Sequence, residues 1–181
     1  DGGEHAGKVH VVRGRSYGWP ALLGDSDIQF RGECDDHQLG VSVAAGGDLN
    51  GDGISDLMFT STEGCGDGPF NGEVFVMFGR TVGGWPSSVY DADVVLYGEE
   101  GGDVGTWLSS AGDVDSDGFS DLVVSAPSNT EGGGDSAGKG YFVRGRASGW
   151  IDSLSAADSA YLGEGDSQHA GRALAAGDVD G

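Results

Sequence analysis

Apolar residues along this chain fall into short runs that are separated by stretches rich in Gly, Asp and Ser. Runs of this length, bounded by turn-forming residues, are typical of β-strands, whereas helices need longer periodic segments. In the unit that spans residues 39–103, the predicted strands lie at 39–46, 56–62, 72–78 and 93–98. The run from Val74 to Phe78 is apolar at every position, which indicates a strand buried on both faces. Each unit is therefore predicted to be a four-stranded antiparallel meander.

The same pattern recurs along the chain with a period of 65 or 66 residues. Three sets of residues mark this period: single glycines, Gly-Glu pairs and aspartates. They are Gly7, Gly72 and Gly138; Gly32-Glu33, Gly98-Glu99 and Gly163-Glu164; and Asp48, Asp113 and Asp178. Sheets with two apolar faces must stack against one another, and four-stranded sheets stacked around an axis form a β-propeller. The predicted fold class is therefore all-β, with one propeller blade for each repeat.

Two stretches with the pattern D-x-[DN]-x-D-G-x-x-D lie between predicted strands, at residues 48–56 and 113–121. Oxygen side chains at every second position, followed by a Gly that allows a sharp turn, can surround a hard cation such as Ca2+. The predicted ligands are four side chains and one backbone carbonyl in each loop. They are Asp48, Asn50, Asp52, Asp56 and the Ile54 carbonyl in the first loop, and Asp113, Asp115, Asp117, Asp121 and the Phe119 carbonyl in the second.

An EF-hand is the obvious alternative for such a loop, but two features exclude it. EF-hand loops need a bidentate Glu at the last loop position and a helix on each side. The corresponding position holds Phe59 in the first loop and Val124 in the second. The flanking runs are short and apolar, which favours strands over helices. The two loops are therefore predicted to connect strands.

Val104-Gly105, the loop at 113–121 and Ser125-Ala126-Pro127 together resemble the FG-GAP repeat of integrin α-subunit propellers and their bacterial relatives. The preceding repeat has Leu39-Gly40 and Thr60-Ser61-Thr62 at the corresponding positions, so it departs further from the motif. The resemblance implies an extracellular propeller that binds Ca2+. It also implies that the cation loop joins strands 1 and 2 of each blade.

With that strand order, the repeat divides the chain into two complete blades and two partial ones. Residues 1–38 supply strands 3 and 4 of one blade, residues 39–103 and 104–168 each form a complete blade, and residues 169–181 supply strand 1 of a further blade. This last segment includes a truncated third loop, whose predicted ligands are Asp178 and Asp180. Propellers close with roughly four to eight blades, so we expect an incomplete ring. The favoured interpretation is a fragment of a longer protein; the alternative is completion of the unfinished blades by neighbouring chains.

The chain has two cysteines, Cys34 and Cys65. In an antiparallel meander, successive connections alternate between the two ends of the sheet. Cys34 lies in the connection that enters strand 1, and Cys65 lies in the connection from strand 2 to strand 3. Both are therefore at the end opposite the cation loop, and we predict a Cys34–Cys65 disulfide. Such a bond implies an oxidising, extracellular setting.

Acidic residues outnumber basic residues by 30 to 9, which gives a net charge of -21. This charge opposes binding to nucleic acid or to an anionic membrane surface. No apolar run approaches the roughly 20 residues that span a bilayer, so we expect no membrane insertion in this segment. Part of the acidity belongs to the predicted cation loops, where bound Ca2+ would offset it.

One motif suggests an enzyme but lacks the context that catalysis needs. Residues 134–138 match the G-x-S-x-G pattern of hydrolases, which requires a strand, a sharp turn and a helix. Here the motif lies in a loop between two predicted strands, and the equivalent loops at 4–7 and 69–72 have no serine. The four histidines show no metal-ligand spacing. We therefore predict a protein without enzymatic activity.

Two hypotheses for function follow from these observations. The first is a secreted or cell-surface propeller that binds Ca2+ and acts in binding or adhesion, with a protein or glycan ligand that the sequence does not identify. The alternative is a structural subunit of an extracellular filament or surface layer, formed by homo-assembly through the incomplete blades. Because one fold supports many functions, the fold alone does not choose between them.

Overall fold

The computed structural model describes residues 2–65, 71–81 and 84–176 of the chain. The strands are β1 (Lys8–Val11), β2 (Ile28–Arg31), β3 (Val43–Gly47), β4 (Asp56–Ser61), β5 (Glu73–Met77), β6 (Val94–Tyr97), β7 (Leu108–Gly112), β8 (Asp121–Ala126), β9 (Lys139–Val143) and β10 (Ser159–Leu162). Three short 3-10 helices, Leu23–Asp25, Val89–Asp91 and Leu154–Ala156, precede β2, β6 and β10. Among the described residues, no helix has the length and apolar character needed to cross a membrane.

The strands form two four-stranded antiparallel sheets and one two-stranded hairpin. The first sheet has the order β3-β4-β5-β6, the second contains β7 to β10 in the same arrangement, and β1 pairs with β2 in the hairpin. Because neighbours in each sheet are also neighbours in sequence, each sheet is a meander. This confirms the predicted all-β class with propeller-like antiparallel blades, and the described residues do not form a closed ring.

The first strand of the first sheet begins at Val43, later than the start at residue 39 that the apolar pattern predicts. Leu39 instead forms a parallel bridge with Gly7 of the hairpin, and its N–H donates to the Ala6 carbonyl at 3.0 Å. Gly40 has φ +92°, a left-handed conformation that favours glycine and lets the chain turn into the first sheet. The segment before β3 therefore ties the hairpin to the first sheet.

Two apolar cores lie between successive sheets. The core between the hairpin and the first sheet is centred on three rings, with the Phe59 centroid 5.1 Å from Phe30 and 5.7 Å from Phe75. The core between the first and second sheets is mainly aliphatic. Its buried members are Leu49, Met58, Val74, Val76, Val94, Leu96, Val104, Leu108, Leu122, Val124, Ala126, Tyr141, Val143 and Leu154. β5 contributes to both cores, and its four apolar residues, Val74 to Met77, are fully buried, as the apolar run predicts. Phe78, the last residue of that run, is partly buried.

The tryptophan that recurs after the third strand of each repeat packs against the preceding unit. Trp85 lies edge-on to Phe30 of the hairpin, with ring centroids 6.1 Å apart. Trp150 lies at the same distance, 6.1 Å, from Phe78, which follows β5. Trp19, in the hairpin, is 59% exposed. Its position leaves one aromatic face of the first unit open to solvent.

The predicted disulfide is present and joins Cys34 to Cys65. Cys34 lies before β3 and Cys65 lies after β4, with their Cα atoms 5.6 Å apart. The bond therefore closes the end of the first sheet that is opposite the connection between β3 and β4. Its presence agrees with an oxidising environment.

Candidate metal centre

The second predicted cation loop, residues 113–121, connects β7 to β8 at the rim of the second sheet. A register shift between Ser110 and Gly112 bends β7 just before the loop begins. The side chains of Asp113, Asp115 and Asp117 are exposed, and each contributes a carboxylate oxygen to a cluster in which all oxygens lie within 4.8 Å of one another. Three of the four side chains predicted as ligands are thus brought together.

Backbone N–H groups hold the first and third of these carboxylates in place. Asp113 accepts hydrogen bonds from the N–H of Asp117 at 3.0 Å and from the N–H of Gly118 at 2.9 Å. Asp117 accepts from the N–H of Phe119 at 3.0 Å. Gly118 has φ +94°, which provides the sharp turn that the motif requires. The loop therefore holds Asp113 and Asp117 through its own backbone N–H groups.

Asp121, the last predicted ligand, has a different position from the other three. It is buried at the start of β8, where its two oxygens accept from the N–H of Val114 at 2.9 Å and of Gly145 at 3.0 Å. Burial, together with the charges of Asp115 and Asp117, raises the pKa of this carboxyl despite those two hydrogen bonds. Asp121 therefore fixes the base of the loop through the two backbone N–H groups that it binds. Its role as a ligand, like that of the Phe119 carbonyl, stays a prediction.

A basic side chain borders the same cluster. The Nη1 atom of Arg144 lies 3.3 Å from Asp115 Oδ2, and its Nε atom donates to Asp158 at 3.0 Å. The guanidinium group therefore offsets part of the negative charge at one edge of the second loop. The equivalent position in the preceding repeat holds Phe78, so the first loop has no counterpart of this contact.

The first loop, residues 48–56, connects β3 to β4 in the same way. Asp48 accepts from the N–H groups of Gly51 at 2.8 Å, Asp52 at 2.9 Å and Gly53 at 2.8 Å. The Asn50 side chain accepts from the Asp52 N–H at 3.0 Å and donates to an Asp52 carboxylate oxygen at 3.1 Å. The amide thus replaces one carboxylate and lowers the negative charge of this loop relative to the second.

Asp56 repeats the position of Asp121 at the base of the first loop. It is buried and accepts from the N–H of Leu49 at 2.8 Å and of Gly79 at 2.7 Å. Burial, together with the charges of Asp52 and Asp48, raises the pKa of this carboxyl. The ligand roles of Asp56 and of the Ile54 carbonyl stay predictions.

The donor set of both loops fits a hard divalent cation, because it consists of carboxylate, amide and carbonyl oxygens. Two like charges about 4 Å apart repel by on the order of 4 kcal/mol at an effective dielectric constant near 20. A divalent ion among the three converging carboxylates would reverse that repulsion. The third predicted pair of ligands, Asp178 and Asp180, lies outside the described residues.

The FG-GAP repeat model matches residues 104–143, a segment that contains the whole second loop together with β7, β8 and β9. Residues 104–143 therefore carry an FG-GAP repeat. It is 32% identical to integrin alpha-5 of Xenopus laevis over 157 residues, which cover 80% of this chain and 14% of that protein. It is also 31% identical to phosphatidylinositol-glycan-specific phospholipase D of Rattus norvegicus over 132 residues, which cover 70% of this chain and 15% of that protein. The chain thus spans only a small part of the length of these two relatives.

A buried polar cluster near the Cys34–Cys65 bond was not predicted from the sequence. His37 is fully buried, accepts from the Glu33 N–H at 3.1 Å and lies 3.0 Å from Glu73 Oε2. The Tyr90 hydroxyl donates to the same carboxylate at 3.1 Å. Because the ring also lies near the Cys34–Cys65 bond, this cluster supports the disulfide end of the first sheet. The signal was weak, since His37 does not recur in the other repeats.

Proposed function

We propose that this chain is a Ca2+-binding segment of an extracellular β-propeller, and that its loops at 48–56 and 113–121 each hold one ion. The observation that carries the proposal is the convergence of Asp113, Asp115 and Asp117 within 4.8 Å in the loop of the matched FG-GAP repeat. The Arg144 guanidinium offsets only part of the repulsion among these carboxylates, and a divalent ion would turn that repulsion into attraction. The first loop has the same backbone connection with one amide in place of a carboxylate.

The bound ions would stabilise the fold, and the rim of the sheets opposite the cation loops would bind the partner. Each loop connects two neighbouring strands, so a bound ion restrains the start of the sheet at one end. The connections at the other end, near the Cys34–Cys65 bond, are then free to contact a protein or glycan ligand. Similarity to an integrin alpha chain supports an adhesion role, and the disulfide supports an extracellular location. We assign no catalytic role to these residues, although one relative is named as a phospholipase D.

Removal of Ca2+ is expected to destabilise the chain. At ten times the dissociation constant, each occupied loop contributes about 1.4 kcal/mol to the free energy of unfolding. For a domain of this size, that corresponds to a fall in Tm of roughly 3 to 6 °C per loop on addition of excess EDTA. Thermal unfolding followed by circular dichroism, with and without chelator, measures the effect, and an unchanged Tm would contradict the proposal.

The variant Asp117→Asn provides a loop-specific test of the same proposal. It should lose at least half of the Ca2+-dependent stabilisation, because the second loop no longer binds the ion normally. In EDTA it should be no less stable than the wild type, because it removes one of three mutually repelling charges. Asp135→Asn is the matched control, since Asp135 is an exposed carboxylate in the connection between β8 and β9, at the other end of the sheet. This control should keep the full response to Ca2+.

A second candidate function, a filament subunit, is favoured by exposed aromatic side chains on the hairpin and on the second sheet. Trp19 is 59% exposed and Tyr161 is 68% exposed. Their repeat counterparts, Trp85 and Phe30, contact each other across the interface between the hairpin and the first sheet. A second copy placed head to tail would bring Trp19 of one molecule against Tyr161 of the next by the same contact.

Self-association by this contact should depend on concentration and should be lost in Trp19→Ser. The net charge of -21 on each copy opposes association, so it should be strongest in the presence of Ca2+ and at physiological or higher salt. Sedimentation velocity over a range of protein concentrations measures it. A wild-type chain that stays monomeric under all of these conditions would rule out the filament candidate and leave the first function unaffected.

A further inference from the structure

The two candidate cation loops contact each other through a reciprocal pair of hydrogen bonds. The Ser120 N–H donates to the Asp48 carbonyl at 2.8 Å, and the Asp48 N–H donates to Ser120 Oγ at 3.2 Å. Ser120 directly precedes Asp121 in the second loop, and Asp48 opens the first loop. The first residue of one loop is therefore fixed by a residue that belongs to the other.

A second connection between the loops runs through the turn after β9. Asp121 accepts from the Gly145 N–H at 3.0 Å, and the N–H of the next residue, Arg146, donates to the Leu49 carbonyl at 2.8 Å. The Leu49 N–H in turn donates to Asp56 at 2.8 Å. Three hydrogen bonds, linked through the backbone of Gly145-Arg146 and of Leu49, thus join the buried aspartate of one loop to that of the other.

The two loops also differ in burial, because the second sheet covers the first loop and no described element covers the second loop in the same way. Leu49, the second residue of the first loop, is fully buried, whereas its counterpart Val114 in the second loop is 51% exposed. Leu49 packs in the core between the two sheets, where its backbone is held by the second sheet. The position of the first loop is therefore set partly by the sheet that carries the second.

We propose that the two loops bind Ca2+ cooperatively, with Ser120 and the Gly145-Arg146 turn as positioning residues; this inference rests on the proposed function. An ion in the second loop restrains residues 113–121, and Ser120 then holds Asp48 and Leu49 in place before an ion reaches the first loop. Part of the ordering that Ca2+ binding in the first loop requires is then already complete, which raises the affinity of the first loop for its ion. By thermodynamic linkage, an ion in the first loop raises the affinity of the second by the same factor.

Two glycine amides report separately on the loops, which makes the coupling measurable on the intact chain. The Gly53 N–H donates to Asp48 at 2.8 Å, and the Gly118 N–H donates to Asp113 at 2.9 Å. Titration of the 15N-labelled chain with CaCl2, followed through these two amide signals, gives one binding curve for each loop. The readout does not depend on any partner or activity.

The decisive variant is Asp115→Ala/Asp117→Ala, which disables the second loop at two exposed positions. We expect the Ca2+ affinity reported by Gly53 to fall by roughly 5-fold or more, the lower end of typical coupling between sites. Asn50→Ala/Asp52→Ala should lower the affinity reported by Gly118 by the same factor. If an alanine pair does not give a folded spectrum, the isosteric Asp115→Asn/Asp117→Asn pair replaces it.

Ser120→Ala tests the route of the coupling, because it removes the acceptor of the Asp48 N–H. In the Ser120→Ala variant, the change in Ca2+ affinity at one loop on disabling the other should become smaller. Ser109→Ala, in β7 and outside both loops, should leave that change in affinity as it is in the wild type. Equal affinity at Gly53 with and without a functional second loop would overturn the coupling and leave Ca2+ binding intact. No response at either glycine in the wild type would overturn both the proposed function and this inference.

Discussion

Phe59→Ala is expected to lower the free energy of unfolding by about 3 to 5 kcal/mol, the range for loss of a buried aromatic side chain. Phe59 is fully buried at the centre of the core between the hairpin and the first sheet, in contact with the rings of Phe30 and Phe75. Its removal leaves a cavity between two rings that belong to different sheets. The backbone of β4 is paired on both sides, so it has little freedom to move into the space.

Phe142→Ala is the matched control for this substitution. Phe142 also lies in a central strand, but it is only partly buried and lines an open groove with Tyr161 and Val123 on the outer face of the second sheet. The same chemical change there should cost less than half as much, because solvent already reaches the ring. Urea unfolding followed by tryptophan fluorescence compares the two variants. Equal losses would show that the hairpin does not form a tight core with the first sheet.

Replacement of both cysteines, as Cys34→Ser/Cys65→Ser, is expected to lower the free energy of unfolding by about 3 to 4 kcal/mol. The bond closes a loop with a sequence separation of 31 residues, and the chain-entropy relation gives a stabilisation of this size for such a loop. The segment that the disulfide closes contains β3 and β4 of the first sheet, whereas the cation loop at 113–121 lies outside it. Most of the effect should therefore appear as easier unfolding of the first sheet.

Reduction of the wild type provides an independent control for the cysteine variant. Treatment with a phosphine reductant should bring the wild-type unfolding midpoint close to that of the double variant, and it should not affect the double variant itself. Mass spectrometry should show a gain of about 2 Da on reduction of the wild type, because each sulfur gains one hydrogen atom when the disulfide takes up two electrons and two protons. A double variant as stable as the oxidised wild type would show that the crosslink adds nothing to the fold.

The arrangement of strands could be predicted because it is a property of local sequence. The apolar run from Val74 to Phe78 identifies a strand buried on both faces, and the recurrence of glycines and aspartates at 65 or 66 residues identifies the repeat. The alternation of connections then places Cys34 and Cys65 at one end of a sheet, and the structure confirms their bond. The positions of Asp113 and Asp117 are equally local, since the hydrogen bonds that they accept lie within the loop.

Contacts between repeats could not be predicted, since they depend on how one sheet is rotated against the next. The hydrogen bond between Ser120 and Asp48 joins residues that are 72 positions apart. No sequence pattern distinguishes Ser120 from an ordinary loop serine. The guanidinium of Arg144 reaches Asp115 for a similar reason, because two loops meet at one rim. The early start predicted at Leu39 failed because a bridge to the hairpin satisfies that backbone in place of the sheet.

The closure of the first sheet at both rims links its rigidity to two separate properties of the surrounding fluid. One rim is held by the covalent bond between Cys34 and Cys65, which a reducing compartment would open. The other is held, under the proposed function, by an ion at residues 48–56, which a calcium-poor compartment would withdraw. The sheet would reach full rigidity only in a compartment that is both oxidising and supplied with calcium. In a reducing, calcium-poor compartment the chain would keep its strands but lack both restraints, and proteases and chaperones would recognise it more easily.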